Sequence, residues 1–328
     1  MNVIKNNRSF LAEQRSAHAK VKKTTFDKVQ KIIADVQRKG DEAVIEYTKK
    51  FDKVRLSPGT LKVTNGEITA AFRELNSTYL KAFKKAIENV RTFYKKQMPS
   101  ETVECKGSEG KFLQSMFVPL ERVGVYVPAG THPLVSTVYM CVIPALVAGV
   151  KDIVLVSPPI ANGRVHPYIL AMASLLDIKH IYKIGGAQAI AALAFGTKTI
   201  PRVDKIVGPG NEYVTEAKRQ VFGFVDIDML AGPSEVVIVA DKTTPVPYII
   251  ADAKAQVEHH AGKAVIVTTS GSLAKTLRES PVDASVLIVN DIDEAADVVN
   301  TIAPEHLEVM TKNPGDFRSE EHTSELQS

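Results

Sequence analysis

Cysteine is scarce in this sequence, and so are long apolar runs. The only cysteines are Cys105 and Cys141, too few for a disulfide framework and too far apart for a CxxC pair, which points to a reducing compartment and hence the cytoplasm. The longest apolar stretch, 140–150, is broken by Pro144 and Gly149 and falls short of the roughly 18 residues of a spanning helix, so no membrane segment is expected. The N-terminal residues MNVIKNNRSFLAEQRS contain no apolar core of a secretory signal, which argues against export. The basic pairs Lys22-Lys23, Arg38-Lys39 and Lys49-Lys50 have acidic neighbours and no interleaved aromatics, and the net charge is only +4. They read as solvated helix faces, and no nucleic-acid partner is expected. Neither GxGxxG nor GxxxxGK[ST] occurs.

What is present is an ordinary globular composition over 328 residues, 45% hydrophobic and 24% charged, enough for two α/β-sized units. The first hundred residues read as a helical lead-in: Thr24 or Thr25 can cap a helix running to Gly40, and Ser77 can cap another that carries Leu80, Phe83, Ile87, Val90 and Phe93 at helical spacing. From Lys111 on, short β-rich runs alternate with helical stretches. Strands are expected at Val123–Val127, Asp152–Val156, His180–Ile184, Asp204–Val207, Glu235–Ala240, Ala264–Thr268 and Ser285–Val289. Crossover helices are expected at Val135–Ala148, Pro167–Leu176, Ala187–Phe195 and Tyr213–Val221. This alternation predicts an α/β fold with parallel sheets covered on both faces.

Ligands of such sheets gather beyond the C-terminal strand ends. Three glycine-bearing loops fall there, Pro128–Thr131, Gly185–Gln188 and Gly208–Asn211, and could bring backbone N–H groups and helix N-termini to a phosphate-bearing cofactor; ordinary turns use the same residues. Gln188 and Asn211 add amide groups that can read hydroxyls or amides. Near the end of a helix that starts around Pro247, Gln256, His259 and His260 share one face, so a metal could take Gln256 with either histidine, or the histidines could simply meet the helix dipole. Ala303-Pro304-Glu305-His306 joins a carboxylate to an imidazole at a stiff turn into a strand, suited to proton transfer or merely to turning the chain. Ser234 and Glu235 follow a turn at Gly232-Pro233 and could line a site or close that turn.

The stretches GDEAVIEYTKKFD, RVGVYVPAGTHPLVSTVYM, IGGAQAIAALAFGT, VGPGNEYVTEAKRQVFG, DMLAGPSEVVIVAD, AQVEHH and APEHLEV together resemble the histidinol dehydrogenase family, from about Gly40 to Pro314. The resemblance implies an NAD- and zinc-dependent oxidation of L-histidinol through the aldehyde to L-histidine, with Tyr126, Gln188 and Asn211 contacting NAD. It implies Gln256 and His259 as zinc ligands, with zinc holding the substrate. Ser234 would also meet the substrate, His306 would be the general base, and Glu305 would activate water at the aldehyde stage. Two Rossmann-like domains are implied: an outer one from 22–125 and 235–317, and an inserted NAD-binding one at 126–234, preceded by an N-terminal arm at 1–21. A homodimer is implied as well.

Three features depart from the family pattern. Ala129 stands where a second glycine is common, His260 follows His259 where an acidic residue or glycine is usual, and the stretch between Thr268 and Ser285 is about one helix short. The family continues beyond the portion present here, with an aspartate and a histidine as further zinc ligands, and the fragment by itself is therefore expected to be inactive. Residues 318–328 resemble the translation of a sequencing adapter and are expected to be a non-native tail. The competing functions are a related dehydrogenase of another small amino- or sulfo-alcohol and a non-catalytic binding homologue.

Overall fold

The structure, a computed structural model, describes residues 1–4, 9–11, 23–99, 102–129, 133–230, 235–258 and 262–317. The chain divides into two compact units, Val21–Leu230 and Met1–Lys20 with Ala231–Ser328. Strand β1, Asn2–Ile4, belongs to the latter.

The Val21–Leu230 unit opens with helices α1 (Lys23–Lys39), α2 (Asp41–Phe51), α3 (Pro58–Leu61), α4 (Asn65–Arg73) and α5 (Ser77–Gln97), followed by the antiparallel hairpin β2 (Val103–Lys106) and β3 (Phe112–Ser115). Then come β4 (Arg122–Tyr126), α6 (Val135–Val147), β5 (Asp152–Ser157), α7 (Pro167–Leu175), β6 (His180–Lys183), α8 (Gly186–Phe195), β7 (Lys205–Val207), α9 (Glu212–Val221) and β8 (Asp226–Ile227). All five strands β4–β8 are parallel in the order β6-β5-β4-β7-β8. The order reverses between β4 and β7, which opens a crevice beyond the C-terminal ends of these two strands.

Strand β5 shows why both faces are covered. Val154 and Val156 enter one core with α1, α2 and α8, while Ile153 and Leu155 enter the other with α6 and α7, as the two-residue period of a strand requires. The lead-in helices complete these layers. Val29, Ile32, Ile33 and Val36 of α1 pack with Ala191, Val214 and Ala217, and Phe83, Ile87 and Val90 of α5 close the opposite face.

In the other unit, β9 (Glu235–Ala240), α10 (Val246–Val257), β10 (Lys263–Thr268), α11 (Gly271–Arg278), β11 (Ser285–Ile288), α12 (Ile292–Ile302) and β12 (His306–Met310) follow in sequence. The sheet is again all parallel, in the order β1-β11-β10-β9-β12. Helices α10 and α11 cover one face and α12 the other. The stretch between Thr268 and Ser285 thus still provides a crossover helix, α11.

Several boundaries differ from the sequence expectation. Residues 22–125 do not share a unit with 235–317: β4 begins at Arg122 in the middle of its sheet, and α1–α5 pack on that same sheet. The first residues are no free arm, since β1 pairs with β11 and the Met1 ammonium donates to the Ser280 carbonyl at 2.7 Å. The cap of α5 is Asn76, whose side chain accepts from the Thr78 N–H, rather than Ser77. The β2–β3 hairpin and β8 had no expected counterpart. The expected tail at 318–328 lies outside the described residues.

Candidate functional site

In the Val21–Leu230 unit the structure brings the sequence candidates together around Tyr126, the last residue of β4. Its hydroxyl accepts a hydrogen bond from the Gly186 N–H at 3.1 Å, which ties it to the turn carrying Gln188. Its carbonyl lies so close to Gly208 that any Cβ there would collide with it, and Gly208 has φ +116°. Glycine is therefore required at the turn that leads to Asn211. Tyr126, the Gly186 turn and the Gly208 turn thus meet at the C-terminal edge of the sheet, at its switch point.

The Gly208 turn is clamped by charge. Its N–H donates to Asp228 Oδ2 at 2.7 Å, and its carbonyl accepts from Lys218 Nζ at 3.0 Å. Lys218, buried at 3% exposure, also pairs with Asp228. Asn211 caps α9, its Oδ1 accepting from the Tyr213 and Val214 N–H groups, so the NH2 of that amide is the group left to donate to a ligand.

Gln188 is 1% exposed, yet neither its Oε1 nor its Nε2 has a partner. A buried unpaired amide costs on the order of 1–3 kcal/mol, and a ligand hydroxyl or carboxamide would relieve it. With φ +65° at Gly186, where a Cβ would stand 2.8 Å from Gln188 Oε1, this edge has the shape and the donors that a dinucleotide needs. Of the Pro128–Thr131 loop, residues 130 and 131 lie outside the described residues.

Three polar groups here escaped notice in the sequence. Thr48 Oγ1, Asp52 Oδ2 and Ser157 Oγ are buried without partners. Burial pushes the Asp52 carboxyl up to about 6, and the Tyr126 hydroxyl is pushed up to about 12, chiefly by burial, with the Asp52 charge adding to it. Asp52 is the last residue of GDEAVIEYTKKFD, so the signal was present but lay in a stretch that reads as an amphipathic helix. Cys141, whose thiol is pushed up to about 12 by burial, and Cys105 are both unpaired.

In the other unit the candidates occupy the opposite edge. Glu305 and His306 stand at the head of β12, where His306 registers with Val236 near the start of β9, so they lie at the N-terminal edge of this sheet. Ala303, the C-cap of α12 in the left-handed region at φ 49°, and then Pro304 stop that helix and set the turn. Glu305 Oε1 and His306 Nε2 are 3.9 Å apart, and both side chains are exposed.

Gln256 lies in the last turn of α10, whose C-cap is Glu258. His259, His260 and Ser234 lie outside the described residues. The Gln256 Nε2 is buried without a partner, a polar environment that suits an amide offering its oxygen to a metal. No group of three or more His, Cys, Asp or Glu side chains suited to a metal occurs among the described residues. On the same face, Glu308 of β12 is hydrogen-bonded to Asp252 of α10, and burial followed by the Asp252 charge holds its carboxyl above the usual range.

Among the described residues no helix is long and apolar enough to cross a membrane. Residues 14–322 match a family model described as histidinol dehydrogenase. The histidinol dehydrogenase of Lactococcus lactis subsp. lactis is 42% identical over 313 residues, which cover 90% of this chain and 72% of the relative. That of Halalkalibacterium halodurans is 44% identical over 308 residues, covering 88% and 72%. The crystal structure of histidinol dehydrogenase from Elizabethkingia anophelis superposes with a TM-score of 0.89 at 34% identity, over 98% of this chain and 78% of that one.

Proposed function

This chain belongs to the histidinol dehydrogenase family, and from that premise we propose that it oxidises L-histidinol through L-histidinal to L-histidine with NAD, the last reaction of histidine biosynthesis, in the cytoplasm. When bound, zinc at Gln256 and His259 supplies a template for the substrate's amino and imidazole nitrogens, and NAD at Tyr126, Gln188 and Asn211 takes up the hydride of each oxidation.

His306 removes the proton from the carbinol hydroxyl, because the carbon releases hydride readily only as its oxygen loses that proton. Glu305 then takes a proton from water, whose oxygen adds to the aldehyde carbon. His306 acts again on the resulting hydrate, and the second hydride departs to leave the carboxylate. Ser234 holds the substrate. The observation that carries this reading is the exposed Glu305–His306 pair, 3.9 Å apart at the head of β12, two groups that can move protons independently at one strand end.

Steady-state NADH formation with L-histidinol against other small amino alcohols tests the substrate; a preference for another alcohol would overturn it. His306→Ala is expected to lower kcat by roughly 10²- to 10⁴-fold while zinc still binds, and near-normal turnover would remove its role. A homodimer is part of the proposal, supported by the exposed Val103, Phe112, Leu113, Met116, Phe117 and Val118 in and after the β2–β3 hairpin, which a partner surface would cover. Sedimentation of a Phe117→Asp variant as a monomer is the expected outcome.

A further inference from the structure

The face of β12 that carries His306 also carries a second polar group. His306, Glu308 and Met310 alternate along the strand with Leu307 and Val309. Met310 joins the core beneath α10, whereas Leu307 and Val309 join the opposite core, so Glu308 points to the α10 side. There it is hydrogen-bonded to Asp252. Its Oε2 nevertheless remains buried without a partner, and so does the Nε2 of Gln256, one helical turn beyond Asp252. One is an orphan acceptor and the other an orphan donor.

Their placement follows from the topology. Helix α10 returns the chain from the C-terminal end of β9 to the N-terminal end of β10, so it runs antiparallel to β12. Four helical residues rise about 6 Å and two strand residues about 6.6 Å. Stepping from Asp252 to Gln256 therefore descends as far as stepping from Glu308 to His306. Gln256 stands at the level of His306, and the Glu308 carboxyl lies between the two levels.

We propose that Glu308 is a positioning residue for Gln256: its Oε2 accepts a hydrogen bond from the Gln256 Nε2 and so turns the amide to present Oε1 outward to the metal. This rests on the reading of Gln256 as a zinc ligand. An amide binds a cation only through its oxygen, and nothing intrinsic to glutamine prevents the flipped orientation, in which the NH2 group would face the metal. Pinning the nitrogen removes that alternative and satisfies two buried groups at once. Asp252, hydrogen-bonded to Glu308, holds the carboxyl in place, as partners of ligands commonly do.

Zinc affinity, measured by competition with a chromogenic chelator, tests the inference on four proteins alongside the thermal unfolding of each without metal. Glu308→Ala is expected to weaken zinc binding by about 10- to 100-fold. Glu308→Gln should stay close to wild type, because its amide oxygen can still accept from Gln256 while its nitrogen donates to Asp252. Gln256→Ala is the reference for loss of the ligand itself. Wild-type affinity in Glu308→Ala, with a clear loss in Gln256→Ala, would overturn the positioning role alone. Unchanged affinity in Gln256→Ala would overturn the ligand reading and the positioning role together. Should the alanine variant fail to fold, Glu308→Met keeps the volume, removes the acceptors, and is judged by the same outcomes.

Discussion

Asp52→Asn should change how the stability of the Val21–Leu230 unit depends on pH. The Asp52 carboxyl titrates at about 6 in the folded protein against 3.8 as its ordinary value, with burial as the cause. Because the folded value is raised, the stability this group allows is fully present below about pH 4 and is lost as pH rises through about 6. A shift of about two units corresponds to at most about 3 kcal/mol. Solvent reaches part of this side chain, so about 1 kcal/mol is the better expectation. Asparagine has nearly the same shape and leaves the same pocket incompletely satisfied, so that cost cancels when one protein is compared across pH. Urea unfolding of wild type and Asp52→Asn at pH 4.5 and pH 8, followed through a probe in this unit, is the assay. The stability difference should shift by about 1 kcal/mol toward the variant at pH 8. A pH-independent difference, or a shift toward wild type, would refute the assignment of an uncompensated carboxylate beside Tyr126.

Other outcomes follow from the same geometry. Gly208→Ala must place a Cβ against the Tyr126 carbonyl at φ +116°, so a loss of at least about 2 kcal/mol is expected in chemical denaturation. Lys218→Met leaves Asp228 without its buried partner and should cost about 3 kcal/mol; a raised KM for NAD with an unchanged KM for L-histidinol would show that the clamp serves the dinucleotide turn. Removing zinc with a chelator should abolish turnover, and added zinc should restore it, while NAD affinity measured by equilibrium dialysis stays near its original value.

The parallel sheets were legible because each buried strand is a short β-branched run, such as Ile153–Val156 or Val236–Val239, punctuated by glycine and proline. The helices fell within a residue or two of expectation for the same reason. The domain division was harder to read, since packing decides where α1–α5 belong and nothing in their periodicity names the sheet they cover. Strand β1 has only three residues, too few to show a pattern. The candidate site was half legible. Gln188 and Asn211 stand at helix starts after glycine turns, a position that itself suggests a ligand. Asp52, Lys218 and Asp228 matter only through partners distant in sequence, and Glu308 hides in an apolar strand whose alternation already suits a half-buried edge.

The two units place their chemistry on opposite edges of the same kind of sheet, and each choice follows from the groups involved. In Val21–Leu230 the candidates lie at the C-terminal strand ends, where the N-termini of α8 and α9 and their glycine turns offer backbone N–H groups to an anionic cofactor. In the unit of β9–β12 they lie at the N-terminal ends, where α10 and α12 finish. Helix C-termini carry partial negative charge and favour cations. That edge gathers Gln256, Asp252, Glu308 and Glu305 with the imidazole of His306, a set of acceptors and one base rather than donors. It suits a metal and a departing proton as poorly matched helix N-termini could not. Edge choice therefore carries functional information that strand pattern alone does not: the same α/β layering binds an anion at one edge and is built for cations at the other.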